Sequence, residues 1–409
     1  MSSDKKQNKG VARREFLAGA GAAALAFTIL SNPKSARAFD ANGKIQVGLT
    51  GCGGRGGWIS DLFAKHGGYK LVAFHDYFPN KSQALAKHHQ VETAKAYSGL
   101  KGYKKILDDK EVDAIIDISP PYFRPEHAAD AVEAGKHVYL AKPIGVDVPG
   151  CNSILESGKK ATAKKLAYLI DFQTRTNEFY KEAIKRVHNG DIGKIFSGEA
   201  VYYTGPLGNG NFSQDNIEER LSHWSLDRVL SGDVITEQNI HALDVATWIM
   251  DENPVSAVGK CFKKFRGDSV TCNSVYTAVF TFPNDIILTF ASKQCGAGCE
   301  DIGCKVFCAK GMIETHYGGP TNVQGQGKVI YPGGKSPGIY TEGAISNIAA
   351  FHDQIKNSNF ENTTVAPSVR SNLTTILGRT ACYKGAWVTW DELMKANEKL
   401  DVDFKGAKE

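Results

Sequence analysis

Several features are missing from this chain, and each absence narrows what it can be. Beyond the first forty residues, no apolar run approaches the ~20 residues that a membrane-spanning helix needs. There is no internal repeat and no low-complexity tract, so repeat arrays and biased linkers are excluded. Paired C-x-x-C spacing is also lacking. Cys295, Cys299, Cys304 and Cys308 are separated by three, four and three residues, unlike common zinc or iron–sulfur sites. Cys304, Val306 and Cys308 alternate with Lys305 and Phe307, which reads as one face of a strand, with structural cysteines and no metal. With nine cysteines in all, an odd number, pairing within one chain cannot be complete.

An excess of positive charge is missing too, despite the formal +5. Residues 1–38 hold seven Lys/Arg and two Asp/Glu, and without them the chain keeps 42 of each sign. The positive balance therefore belongs to one end and is no sign of a nucleic-acid partner. That end reads as a targeting segment. Arg13-Arg14-Glu15-Phe16-Leu17 precedes an apolar stretch from Ala18 to Leu30, and Ala36-Arg37-Ala38 offers a small-x-small cleavage site. Paired arginines followed by Phe-Leu point to the twin-arginine route, so the export machinery is an expected partner and the periplasm the expected location. That route carries folded proteins, so a cofactor can travel inside.

At 409 residues, two domains are the default. Strand patterns at 43–50, 69–76, 113–119 and 137–141 alternate with helical ones at 58–66, 80–89 and 125–135, as in right-handed βαβ units. A strand at 166–171 and a helix at 177–188 follow. The pattern then shifts to strands at 193–204, 255–265, 271–283, 285–293 and 304–315, with Pro283-Asn284-Asp285 as a tight turn. The Gly- and Pro-rich stretch 318–338 reads as loop, and helices close the chain from Ile345 to Ile355 and from Ser371 to Lys384. The expected fold is α/β: a Rossmann dinucleotide-binding domain at 43–165 and an α+β domain with a large, mostly antiparallel sheet at 166–365. A helical tail at 366–409 is expected to pack back on the first domain.

Gly51-Cys52-Gly53-Gly54-Arg55-Gly56 fits G-x-G-x-x-G, follows a strand and opens a helix. Gly51 makes the turn, Gly53 lets the backbone approach a pyrophosphate on the helix N-terminus, and Gly56 permits close helix–strand packing. Asp76 ends the second strand twenty residues past the last glycine, where it accepts from the adenosine ribose and repels a 2′-phosphate. The expected cofactor is NAD rather than NADP, with Gly54 and Arg55 also at the loop.

Further motifs appear in a fixed order: Ala134-Gly135-Lys136-His137-Val138, Ala141-Lys142-Pro143, Gly190-Asp191-Ile192-Gly193-Lys194-Ile195, Glu237-Gln238-Asn239-Ile240-His241-Ala242-Leu243-Asp244, and Leu377-Gly378-Arg379 with Trp387-Val388-Thr389-Trp390-Asp391. Together with the glycine loop they resemble the Gfo/Idh/MocA family of sugar and cyclitol oxidoreductases over nearly the whole chain beyond the signal, in its exported branch. The resemblance implies that Lys142 lies beside the nicotinamide and bonds the reacting hydroxyl, where an ammonium stabilises an alkoxide or a buried amine takes the proton. Glu237, His241 and Asp244 share a face if they lie on one helix, and a neighbouring carboxylate would raise the histidine's pKa. His241 is the second acid/base candidate, with Glu237 beside it.

Three departures stand out. Ala141 stands where the family's signature has glutamate, and Glu237 stands where Asp is usual. Ser119 and Pro120 lead into Tyr122-Phe123-Arg124, where relatives often carry Thr-Pro-Asn-x-x-His. Ser119, Pro120 and Gln173 are expected at the cofactor; Arg124, Arg175 and Asp244 are candidate substrate contacts.

Export implies a cofactor that is loaded before transport and kept. The expected activity is oxidation or reduction of a secondary hydroxyl of a sugar or glycoside, with C3 a candidate position, by an enzyme that retains its NAD and associates as a dimer or tetramer. Two alternatives stay open: a redox-neutral NAD-dependent glycosidase, and a non-catalytic sugar-binding module. The histidine-containing segment characteristic of those glycosidases is not found, and loss of turnover on changing Lys142 and His241 would separate enzyme from module.

Overall fold

The computed structural model describes residues 43–206, 208 and 210–409. The export signal read in residues 1–38 lies outside the described residues.

Six parallel strands form the first sheet: β1 (Ile45–Thr50), β2 (Tyr69–His75), β3 (Ala96–Tyr97), β4 (Ala114–Asp117), β5 (His137–Ala141) and β6 (Tyr168–Asp171), in the order β3-β2-β1-β4-β5-β6. Their apolar runs are buried nearly without alternation, because helices cover both faces of a parallel sheet. The helices Gly54–His66, Pro79–His88, Tyr103–Asp108, Arg124–Glu133 and Val148–Ala163 are the crossovers.

The boundary expected between 165 and 166 needs correction. β6 pairs with β5 in the first sheet, Tyr139 opposite Leu169, so the change of architecture comes after Asp171. The helix Ile339–Lys356, expected with the second domain, also packs on the first. Trp58 stacks on Tyr340 at 4.6 Å, and the Tyr69 hydroxyl donates to Ile348 O at 2.8 Å. Its own sequence carries no mark of which sheet it covers.

The second sheet has nine strands: β7 (Ile195–Thr204), β8 (Ser256–Phe262), β9 (Val275–Phe282), β10 (Ile286–Gln294), β11 (Asp301–Cys308), β12 (Gly311–His316), β13 (Pro320–Gly325), β14 (Lys328–Lys335) and β15 (Val388–Thr389). Their order is β14-β13-β12-β11-β7-β10-β9-β8-β15, antiparallel except for β7 beside β10. Cys304, Val306 and Cys308 are buried on one face of β11, as alternation required.

Two corrections concern this sheet. Residues 304–315 are not one strand but a hairpin, with Cys308 opposite Gly311. Residues 318–338 are not loop: β13 and β14 form a second hairpin whose register shifts on both sides of Val323. Glycine and proline misled because bulges and strand starts tolerate both.

The segment 366–409, expected to pack on the first domain, divides its contacts instead. The helix Val365–Lys384 is buried around most of its circumference. On one side Asn372 bonds Ile144 N and Gly145 O, each at 3.1 Å; on the other, Arg379 donates to Gly232 O as well as to Val146 O, each at 2.8 Å. β15 then joins the second sheet beside β8.

Candidate active site

The glycine loop forms the first part of the site. Gly51 has φ +89°, and a Cβ there would lie 2.6 Å from the Ile118 backbone. A Cβ on Gly56 would come within 1.9 Å of Gly51 O, so helix and strand meet too closely for any side chain. On Gly53 or Gly54 an added Cβ meets nothing within 4 Å, which leaves that side of the loop open. The helix Gly54–His66 has no side-chain cap and no acid in its first turn. Its N–H groups and dipole thus fit a pyrophosphate. Asp76 is fixed beside it, accepting from Cys52 N at 2.8 Å and Phe78 N at 3.0 Å and keeping lone pairs for ribose hydroxyls. Ser119, with Pro120 after it, sits at the end of β4, where Ser119 N donates to Asp117 at 2.9 Å. Gly56→Ala is expected to abolish dinucleotide binding, read by NADH fluorescence titration, because the loop cannot close around the methyl group.

Arg55 is aimed elsewhere than expected. Its guanidinium pairs with the Asp171 carboxylate at 2.6 Å, donates to the Tyr340 hydroxyl at 2.7 Å, and lies 5.4 Å from the Trp58 and Tyr340 rings. It bridges the glycine loop to the end of β6 rather than presenting a free charge to the cofactor. Gln173 is fully buried, its amide 3.3 Å from Asp171, beneath Gly343. Its side-chain oxygen has no hydrogen-bond partner, and the residue lines a cavity together with Thr176, Ser336 and Glu342.

Lys142 leaves the end of β5. Its ammonium donates to Glu237 O at 2.7 Å and lies 3.7 Å from the Glu237 carboxylate. The carboxylate missing at Ala141 is thus supplied from the second domain. Burial pulls the Lys142 pKa below its ordinary value; Glu237 opposes this, while Arg55 and Arg124 reinforce it. Arg124, expected at the substrate, is buried at 3% exposure. It donates to Ala141 O at 3.1 Å and to Pro143 O, bracing the carbonyls on either side of Lys142, and burial lowers its pKa to about 10. Through these two carbonyls it helps to fix the position of Lys142.

Glu237 and His241 do not share one helix. The helix Val234–Glu237 ends, Gln238 and Asn239 turn, and Ile240–Met250 begins. The Glu237 carboxylate faces Lys142 and the Gln238 amide. His241 is buried with Nδ1 unpartnered, its ring 5.3 Å from that of Tyr317. Burial, with Lys142 and Arg55 nearby, pushes its pKa well below the usual value, opposite to the expected rise. The imidazole is therefore neutral at physiological pH and can only offer or accept a hydrogen bond.

Asp244 does not reach His241 either. It is fully buried and bound by Arg175 through Nε at 3.1 Å and Nη2 at 2.8 Å, with Ser371 Oγ at 2.7 Å. Arg175 lies 5.2 Å from the Trp248 ring. This pair ties two helices to the segment after β6. Sequence reading missed Asp171, although it ends a strand pattern, and Tyr317, which lies 76 positions from His241 and had no local signal.

Two family models match the chain. The oxidoreductase family with an NAD-binding Rossmann fold matches residues 45–168, and the GFO/IDH/MocA C-terminal domain matches residues 180–314. This chain belongs to the Gfo/Idh/MocA family of oxidoreductases. Among relatives, an uncharacterized oxidoreductase YrbE of Bacillus subtilis is 22% identical over 69% of this chain and 76% of its own length. An inositol 2-dehydrogenase of Salmonella typhimurium is 24% identical over 60% of this chain and 66% of its own. Scyllo-inositol dehydrogenase from Lactobacillus casei, solved with NAD(H) and scyllo-inositol, has the same fold at TM-score 0.67 and 19% identity, covering 85% of this chain and 99% of that one. The α/β fold, a Rossmann sheet followed by a mostly antiparallel one, is that of the family.

Proposed function

We propose that this protein is an exported oxidoreductase that retains NAD(H) and interconverts a secondary hydroxyl and a ketone on a sugar, cyclitol or glycoside. The observation that carries this reading is the buried Lys142 amine held by Glu237 beside a neutral His241, at the mouth of a dinucleotide-binding sheet. The relatives named inositol dehydrogenase support a ring-borne polyol as substrate class.

Bound NAD⁺ supplies the acceptor for the hydride that leaves the carbinol carbon. The chain's own groups manage the proton. The hydroxyl proton passes to the Lys142 amine, whose lowered pKa makes the neutral form accessible. His241 hydrogen-bonds the same oxygen and orients it. In the reverse direction the Lys142 ammonium returns the proton to the alkoxide. Oxidation is therefore expected to quicken as pH rises through a value below lysine's ordinary range, because the acceptor is the uncharged amine. Lys142→Arg, charged throughout, should lack that limb; a pH profile of kcat/KM checks this.

Export supports retention, since the periplasm is not expected to supply free NAD, and a retained cofactor must be recycled by a second acceptor. Denaturing the purified exported protein should release NAD(H) near one per chain. Activity that depends wholly on added NAD would overturn the retained-cofactor reading. Asp76→Ser is expected to narrow the preference for NAD over NADP by about tenfold, the scale of one lost charge repulsion. Paired titrations with the two cofactors measure it. Ile287 is exposed between Ile286 and buried Leu288 on β10, and Phe262 is exposed at the end of β8, which supports association of copies through that sheet face.

A further inference from the structure

We propose that residues 398–409 form a strap that closes the adenosine end of the dinucleotide groove and sets how slowly the cofactor leaves. The inference rests on the cofactor reading above and adds the element that does the retaining.

After the helix Trp390–Ala396 the chain has no further helix or strand, yet it is pinned at successive points. Leu400 N donates to the Asp147 carboxylate at 2.9 Å, beyond the end of β5. The Phe404 ring packs on Tyr122 and Phe123, with centroids 5.7 and 5.6 Å away, beyond the end of β4. Lys408 N donates to the Tyr77 hydroxyl at 3.1 Å, beyond β2, and Lys408 O accepts from Leu100 N at 2.9 Å, beyond β3. The segment thus crosses the carboxyl ends of β5, β4 and then β2 and β3. In an open parallel sheet that edge is where a dinucleotide lies. Tyr77 adjoins Asp76, the expected ribose carboxylate.

The strap is clasped from the other side by the helix Ile217–Ser222. Val402, Phe404 and Ala407 share an apolar cluster with Ile217, Leu221, Tyr77 and Phe123. Lys408 pairs with Glu218 at 2.9 Å, and the Tyr77 hydroxyl donates to the same carboxylate at 3.2 Å. Gly99 lets the segment lie flat, since a Cβ there would meet Glu409 O at 1.9 Å. No backbone ladder with either sheet holds the strap, so it can lift without disturbing them. Its closing contacts are an exposed ion pair and a small apolar cluster, the makings of a latch rather than of a core.

The test measures NADH release from the full-length protein by displacement with excess NAD⁺, following nicotinamide fluorescence. Phe404→Ser should speed release at least about tenfold, and Glu218→Gln, at an exposed position, by a smaller factor, while thermal unfolding of the cofactor-free protein stays unchanged. Release within twofold of the unaltered protein, in both variants and in a chain ending at Asn397, would overturn the strap and leave the cofactor reading standing. Failure of the unaltered protein to bind NADH at all would overturn both.

Discussion

Lys142→Met is expected to lower turnover by about 10²- to 10⁴-fold, the usual contribution of a positioned acid or base, while NAD binding stays within a few-fold. The separation is expected because, in the proposed site, the glycine loop and Asp76 supply most of the contacts to the dinucleotide. Lys142 places its amine at the end of β5, held by Glu237 O at 2.7 Å. Lys142→Arg should also be poor, since a guanidinium keeps its proton and cannot accept another. His241→Ala should lose less, because the neutral imidazole orients the hydroxyl rather than taking its charge. Stopped-flow monitoring of reduced nicotinamide, with a panel of cyclitols and glycosides, reads chemistry and binding separately. Unchanged turnover in Lys142→Met would refute the site.

Asp244→Ala is expected to destabilise the fold by about 2–4 kcal/mol, since it strands the partly buried Arg175 guanidinium without its partner. Asp244 accepts from two nitrogens of Arg175 and from Ser371, so the substitution leaves several donors unsatisfied at once. Replacing both partners by apolar residues, Arg175→Met with Asp244→Leu, should recover much of that loss, because no charge then remains buried. Urea unfolding of the three proteins tests the pair. A substrate contact would behave differently: KM would rise in Asp244→Ala with stability unchanged, and that outcome would overturn the structural role.

The glycine loop and the first sheet were legible because their signals are local. A strand, a turn with G-x-G-x-x-G and an acid at the end of the next strand lie within about thirty consecutive positions, and each requirement is set by backbone sterics. Alternating burial exposed most of the second sheet for the same reason. The hairpin at 304–315 was misread as one strand because its turn, Ala309-Lys310, carries no strong turn residue, and that at 318–338 as loop because its turns and bulges use residues that also mark loops.

Side-chain direction was not legible. Arg55, Arg124 and Arg175 are all plausible cofactor or substrate contacts in sequence, yet each is already engaged: by Asp171, by the carbonyls of Ala141 and Pro143, and by Asp244. A buried or partly buried guanidinium takes the nearest acceptors, and those come from elements far along the chain. His241 shows the same limit. Spacing placed carboxylates beside it, but a helix break and competing partners turned both away, and burial then decided its charge.

By itself the sequence determined the dinucleotide-binding sheet, the order of the two architectures, and Lys142, Glu237 and His241 as the residues to examine. Only the tertiary structure decided which charges hold the fold, that Glu237 serves Lys142 rather than His241, and that residues 398–409 cross the carboxyl ends of strands in the first sheet. Local patterns follow from backbone geometry and periodicity; the partner of a buried charge depends on which distant segments the fold brings within hydrogen-bond reach.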